Sequence, residues 1–159
     1  MKKTFFLSLI LSLIFFVTSN VFATSNYVDK TINFLKDSKV FYLATTTNGT
    51  QPKVRPFGAV LNIDGEINFC TGKTKNVYKQ IKNNPRVEVV ATNKDRWIRI
   101  TGRLIANTTE KTKTAFFKEY PELKKAYSGK EKELVIFKLN QKASSIVINS
   151  LNGEQEVLK

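Results

Sequence analysis

Histidine is absent from the 159 residues, and cysteine, methionine and tryptophan each occur once. Without histidine there is no Ser-His-Asp triad, no imidazole general base and little scope for a zinc site. The single cysteine, Cys70, cannot close an intramolecular disulfide. It lies within a run of strand formers, where a buried thiol behaves as a small hydrophobe. Acidic residues are scarce too: 13 against 26 lysines and arginines, for a formal net charge of +13. That excess favours an anionic partner, whether a phosphate cofactor, an acidic substrate, an anionic surface or nucleic acid. Nucleic acid is the least expected of these, because no RNA-binding motif and no basic stripe interleaved with aromatics is present. Glu131 and Glu133 pair acids in a polar loop, where solvation is expected rather than catalysis. No repeat, low-complexity run or long linker interrupts the chain, so one domain is expected, large enough to bury about two-thirds of its unfolded surface.

The N-terminus reads as a leader. Lys2-Lys3 precede Phe5 to Val17, apolar except for Ser8 and Ser12, and Val21-Phe22-Ala23 forms a small-residue cleavage site. The apolar run is short against the roughly 20 residues a membrane span needs. Residues 1–23 are therefore expected to be a signal peptide and residues 24–159 the mature domain, with no stable membrane insertion after cleavage. An uncleaved N-terminal anchor is the alternative. No twin arginine is present and no cysteine lies near the cleavage point, so Sec-type export to a periplasmic or extracellular location is expected. A chain exported this way crosses unfolded and acquires any non-covalent cofactor outside the cytoplasm.

Beyond the leader the chain is mostly strand. Val28, Ile32 and Leu35 share a helical face that is expected to plug or cover a barrel. Val40 to Thr46 is rich in β formers and ends at Asn48-Gly49, a hairpin signal. Lys53 to Leu61 reads as one partly buried strand, and Asp64-Gly65 as a type I′ turn into Ile67 to Cys70. Thr71 or Thr74 is expected to cap a helix with Val77 and Ile81 on one face. Strands are expected at 86–91 and 96–105, joined through Asn93-Lys94-Asp95. A helix then runs from Thr108-Thr109-Glu110 to about Tyr120, and Pro121 opens a second containing Leu123 and Tyr127. Strands at 134–139 and 143–148 precede a short tail. About seven turn-linked strands with helices inserted at three points predict a small closed or split barrel with peripheral helices, with a β-sandwich as the alternative.

The Thr/Gly turn before the helix that carries Val77 and Ile81, with lysines beside it, is a ready anion site, because backbone N–H groups and the helix dipole point at the anion. The order of motifs is more specific. Arg55-Pro56-Phe57-Gly58, Phe69-Cys70-Thr71-Gly72-Lys73-Thr74-Lys75, Asn84-Pro85-Arg86-Val87-Glu88 and Trp97-Ile98-Arg99-Ile100-Thr101-Gly102 stand in sequence. Over residues 27 to 159 this resembles the pyridoxamine 5′-phosphate oxidase-like family of FMN-binding split barrels.

The resemblance implies a mainly β fold with peripheral helices (α+β), a six- to seven-stranded FMN-binding split β-barrel. It implies a homodimer with flavin at the interface. It also assigns cofactor-binding roles: Arg55 and Thr71, Lys75 with Asn76 at the phosphate, and Trp97 approaching the flavin ring. No catalytic side chain and no metal ligand is implied. Lys75-Asn76-Val77 stand where the strongest members carry Ser-Arg-Lys, which removes cationic contacts. The C-terminal substrate segment of true pyridoxamine phosphate oxidases is not recognisable, so that activity is not expected. The chain looks closer to short single-domain relatives, some of which resemble nitroimidazole reductases. Two functional classes stand: an FMN-dependent oxidoreductase (reductase) of a small-molecule substrate, and a non-catalytic exported binding module for flavin, haem or another anionic ligand.

Overall fold

The computed structural model describes residues 27–47 and 51–159. The expected signal peptide and the Asn48-Gly49 turn fall outside the described residues. Helix α1 covers residues 27–37 and buries Val28, Ile32 and Leu35 in the main core, as their spacing predicts. Among the described residues there are nine strands: β1 (Phe41–Thr45), β2 (Lys53–Phe57), β3 (Val60–Ile63), β4 (Glu66–Gly72), β5 (Arg86–Asn93), β6 (Arg96–Ala106), β7 (Leu134–Leu139), β8 (Ser145–Ser150) and β9 (Gln155–Val157). Three further helices are inserted: α2 (Asn76–Asn83), α3 (Glu110–Glu119) and α4 (Pro121–Ala126).

All the strand pairs are antiparallel, in the order β2-β1-β5-β6-β7-β4-β3, with β8 on β6 and β9 on β8. Strand β6 joins two lobes. Its residues Arg96 to Thr101 pair with β8, and Leu104 to Ala106 pair with β7. The curled sheet is mainly β in class and stays open, since β2 and β3 are both edges. It is a split barrel.

The strand count exceeds the expected six or seven for two local reasons. The stretch expected as one strand breaks at Gly58-Ala59, because β2 pairs with β1 while β3 pairs with β4. Pro56, which has no N–H, is tolerated in β2 because that strand is an edge. The short tail, not counted among the expected strands, folds back as β9 on β8, around Gly153 at φ +91°. The turn at Asp64-Gly65 forms as expected, with φ of +56° and +75° as type I′ geometry demands.

Strand β4 is buried along nearly its whole length because it is covered on both faces. Phe69 faces the main core, while Cys70 joins Leu61, Ile63, Phe116, Leu134 and Ile136 in a second core beneath α3. Helix α3 starts where expected. Thr109 caps it, accepting from the Thr112 N–H at 3.1 Å, and Thr112 reciprocates from the Thr109 N–H at 3.0 Å. Helix α2 buries Val77 and Ile81 but starts differently from expectation. Lys75 occupies its N-cap and no side chain caps it. Thr71 is instead held inside β4, and the Gly72–Lys75 turn closes through the backbone, Lys75 N–H to Gly72 O at 3.1 Å. The first N–H groups of α2 therefore have no capping side chain.

Candidate functional site

Where β2 leaves β1 and β3 joins β4, the sheet parts, and a cleft of about 700 Å³ opens. Arg55 and Phe57 line it from β2, Cys70 and Thr71 from β4, and Thr74, Lys75 and Val77 from the turn into α2. The far wall is α4, presenting Leu123 and Tyr127. The wall is anchored by Tyr120, whose hydroxyl accepts from the Val60 N–H at 3.1 Å and donates to the Val60 carbonyl at 2.9 Å. Those bonds satisfy both backbone polar groups of Val60, the first residue of edge strand β3. The turn into α2 is fixed from the opposite side by Lys73 N–H donating to the Glu133 carbonyl at 2.7 Å.

Arg55 is half-buried and firmly held. Nη1 donates to Thr45 Oγ1 at 2.8 Å and to the Leu43 carbonyl at 3.2 Å, and Nη2 donates to Gln80 Oε1 at 2.7 Å. Gln80 belongs to α2, so the guanidinium ties β1, β2 and α2 together. Burial lowers its pKa from the ordinary value, and it remains cationic at neutral pH. Three of five N–H donors are used, leaving two for a ligand. Lys75 makes no salt bridge among the described residues, and Thr71 and Tyr127 use neither hydroxyl in a hydrogen bond there.

The expected site residues are thus brought together in part. Arg55, Thr71 and Lys75 line one cleft. Asn76 opens α2 beside Lys75 but does not line it. Trp97 does not line it either: it stands on the outer face of β6, between Thr92 and Asn149, with the Arg99 guanidinium 5.0 Å from its ring. Glu133, expected to be solvated rather than catalytic, is half-buried and lines the cleft. The α4 wall carried no expected role. Its signal was present in the spacing of Tyr120, Leu123 and Tyr127, one apolar and aromatic face amid lysines and glutamates, but nothing local says which sheet that face covers.

Cys70 offers no nucleophile here. Burial pushes its thiol from the usual 9.0 up to about 12, against a smaller downward pull from Lys75. The folded chain therefore keeps this proton between about pH 9 and 12 while the unfolded chain loses it, so stability falls as pH rises through that window. Below pH 9 both states are protonated and the effect is flat. Urea unfolding between pH 8 and about 10.5 should show wild type losing stability faster than Cys70→Ala. Parallel loss in the two proteins would contradict the assignment.

The residues present fit a phosphorylated ring cofactor. Two spare arginine donors, an unpaired lysine and an uncapped helix N-terminus suit a phosphate. Phe57, Val77 and Leu123 suit an apolar ring, and the volume lies in the usual range for cofactor sites. The sequence profile of the pyridoxamine 5′-phosphate oxidase family matches residues 28–143. The chain belongs to this family. Among solved structures, a NimC/NimA family protein from Clostridium acetobutylicum shares 34% identity, with a TM-score of 0.77 over 84% of this chain and 92% of that one. A putative pyridoxamine 5′-phosphate oxidase from Listeria innocua shares 20% identity, with a TM-score of 0.56 over 79% of this chain and 98% of its own. A FAD-binding protein from Mesorhizobium loti shares 16%, with a TM-score of 0.56 over 72% and 89%. These last two show likeness of fold alone. No curated protein matches the chain. The family supplies a flavin-binding fold, and the cleft at the split is where this chain offers donors for one.

Proposed function

We propose that this protein holds FMN in the cleft between β2, β4, α2 and α4 and works as a flavin-dependent oxidoreductase of a small molecule. The observation that carries the reading is the convergence of Arg55, Thr71 and Lys75 on one cleft at an uncapped helix N-terminus. Bound flavin supplies the redox chemistry. The chain supplies the rest. Lys75, the two spare donors of Arg55 and the first N–H groups of α2 take the phosphate. Phe57, Val77 and Leu123 exclude water from the ring. Among the described residues no histidine and no metal-binding cluster competes for the role.

The reading includes a two-fold dimer. The outer sheet face carries a cross-strand row of Tyr42, Val90, Arg99, Val147 and Val157, with Tyr42 52% and Val157 66% exposed. Trp97 shares that face, so pairing two such faces is the arrangement that would give Trp97 a flavin to approach. The reading also includes export by residues 1–23, and so flavin uptake outside the cytoplasm.

Flavin-fluorescence titration tests this. Lys75→Ala should weaken FMN about ten-fold at low salt, the usual worth of one charge-assisted bond. The difference should shrink near 1 M salt, where the screening length falls to about 3 Å. Light scattering on the same samples should read the mass of two chains. Equal affinity of wild type and variant at both salt levels would remove the phosphate site, and a one-chain mass at full occupancy would remove the dimer.

A further inference from the structure

The anion site read above draws on Lys75, the spare donors of Arg55 and the first N–H groups of α2, and the structure brings a further donor beside Lys75. Gly72 ends β4 just before the turn into α2. A Cβ built on Gly72 would stand 2.8 Å from the Tyr127 hydroxyl oxygen, and 3.5 and 3.7 Å from Cγ and Cδ of Lys75. The tyrosine hydroxyl and the lysine stem therefore flank one point above a bare Cα, and both residues line the cleft. Any side chain at residue 72 would take that space.

Tyr127 is placed there firmly. Its N–H closes α4 on the Leu123 carbonyl at 2.9 Å, and its carbonyl accepts from the Lys130 N–H at 2.9 Å. Its ring packs against the second core. Its hydroxyl, in contrast, makes no hydrogen bond among the described residues, whereas that of neighbouring Tyr120 is committed to both polar groups of Val60. Burial first, with lesser contributions from neighbouring Cys70 and Glu133, raises the Tyr127 pKa, so the group stays a neutral O–H donor at physiological pH.

We propose that the Tyr127 hydroxyl completes the anion grip, donating to the ligand's phosphate beside Lys75. Gly72 is what keeps the two donors on one side of the turn. This rests on the flavin reading above and adds to it a residue from the end of α4.

The test compares FMN with riboflavin, which lacks the phosphate, by fluorescence titration of wild type, Tyr127→Phe and Gly72→Ala. Tyr127→Phe should weaken FMN about five- to twenty-fold and riboflavin less than about two-fold, because only the charged oxygens gain from the donor. The apo melting temperature should move by no more than about 2 °C, since the hydroxyl has no intramolecular partner to lose. Gly72→Ala should give the same FMN-selective loss by displacing the hydroxyl. Unchanged FMN affinity in Tyr127→Phe, or equal loss for both ligands, overturns the proposal while leaving the flavin site standing. Wild type that binds neither ligand brings down the flavin reading and this proposal with it.

Discussion

Phe116→Ala should cost the folded chain about 3–5 kcal/mol, the usual range for deleting a fully buried aromatic. Phe116 is completely buried in the second core, against Cys70, Leu134 and Ile136, and is the one large side chain that α3 buries. It also stacks on Tyr120, with centroids 6.1 Å apart and planes 23° from parallel. Losing it should loosen α3 and, with it, the Tyr120 clasp on Val60 and the α4 wall. FMN affinity should therefore fall too, although Phe116 does not line the cleft. Urea unfolding and flavin titration of the variant measure the two effects. A stability loss below about 1 kcal/mol would mean the helices are held some other way.

Arg55→Ala is expected to strike both stability and binding. Three hydrogen bonds join this guanidinium to Leu43, Thr45 and Gln80, two donors are left over, and the residue lines the cleft. Thr45 Oγ1 donates to Gln80 Oε1 at 2.7 Å without help from the arginine, which softens the structural loss. A drop of about 1–3 kcal/mol in unfolding free energy is expected, with FMN weakened about ten- to a hundred-fold. Arg55→Lys separates the contributions. It keeps the charge and so the salt-dependent attraction, but loses the planar fork that bridges β1 and α2. If Arg55→Ala leaves both unfolding and FMN affinity unchanged, the guanidinium has neither role.

Much of this was legible in the sequence because it was local. Asp64-Gly65 had to turn, as both residues must take positive φ, and both do. Ile67 to Cys70 returned from that turn as the partner strand, and Thr109 with Pro121 marked where two helices begin. The errors came where partners decide. Gly58-Ala59 interrupts an otherwise strand-like stretch because its two halves pair with different lobes. A threonine cap on α2 was plausible from spacing, but β4 extends through Gly72 and takes Thr71 with it. Arg55, Thr71 and Lys75 were assigned by resemblance, and one contiguous strand–turn–strand–helix unit brings them to a single cleft. Tyr127 was not singled out, because its approach to Gly72 depends on a helix some fifty residues away in sequence. Trp97 belongs to a face that a single chain leaves open.

Thermal unfolding of the flavin-free protein, with and without added FMN, tests the central claim most directly. A ligand that binds only the folded chain raises the melting temperature by mass action, by about 2.7 kcal/mol of stability at a hundred times its dissociation constant. FMN should raise it in a concentration-dependent way, and riboflavin should raise it less. A melting temperature unmoved by saturating FMN would contradict a flavin site at the split.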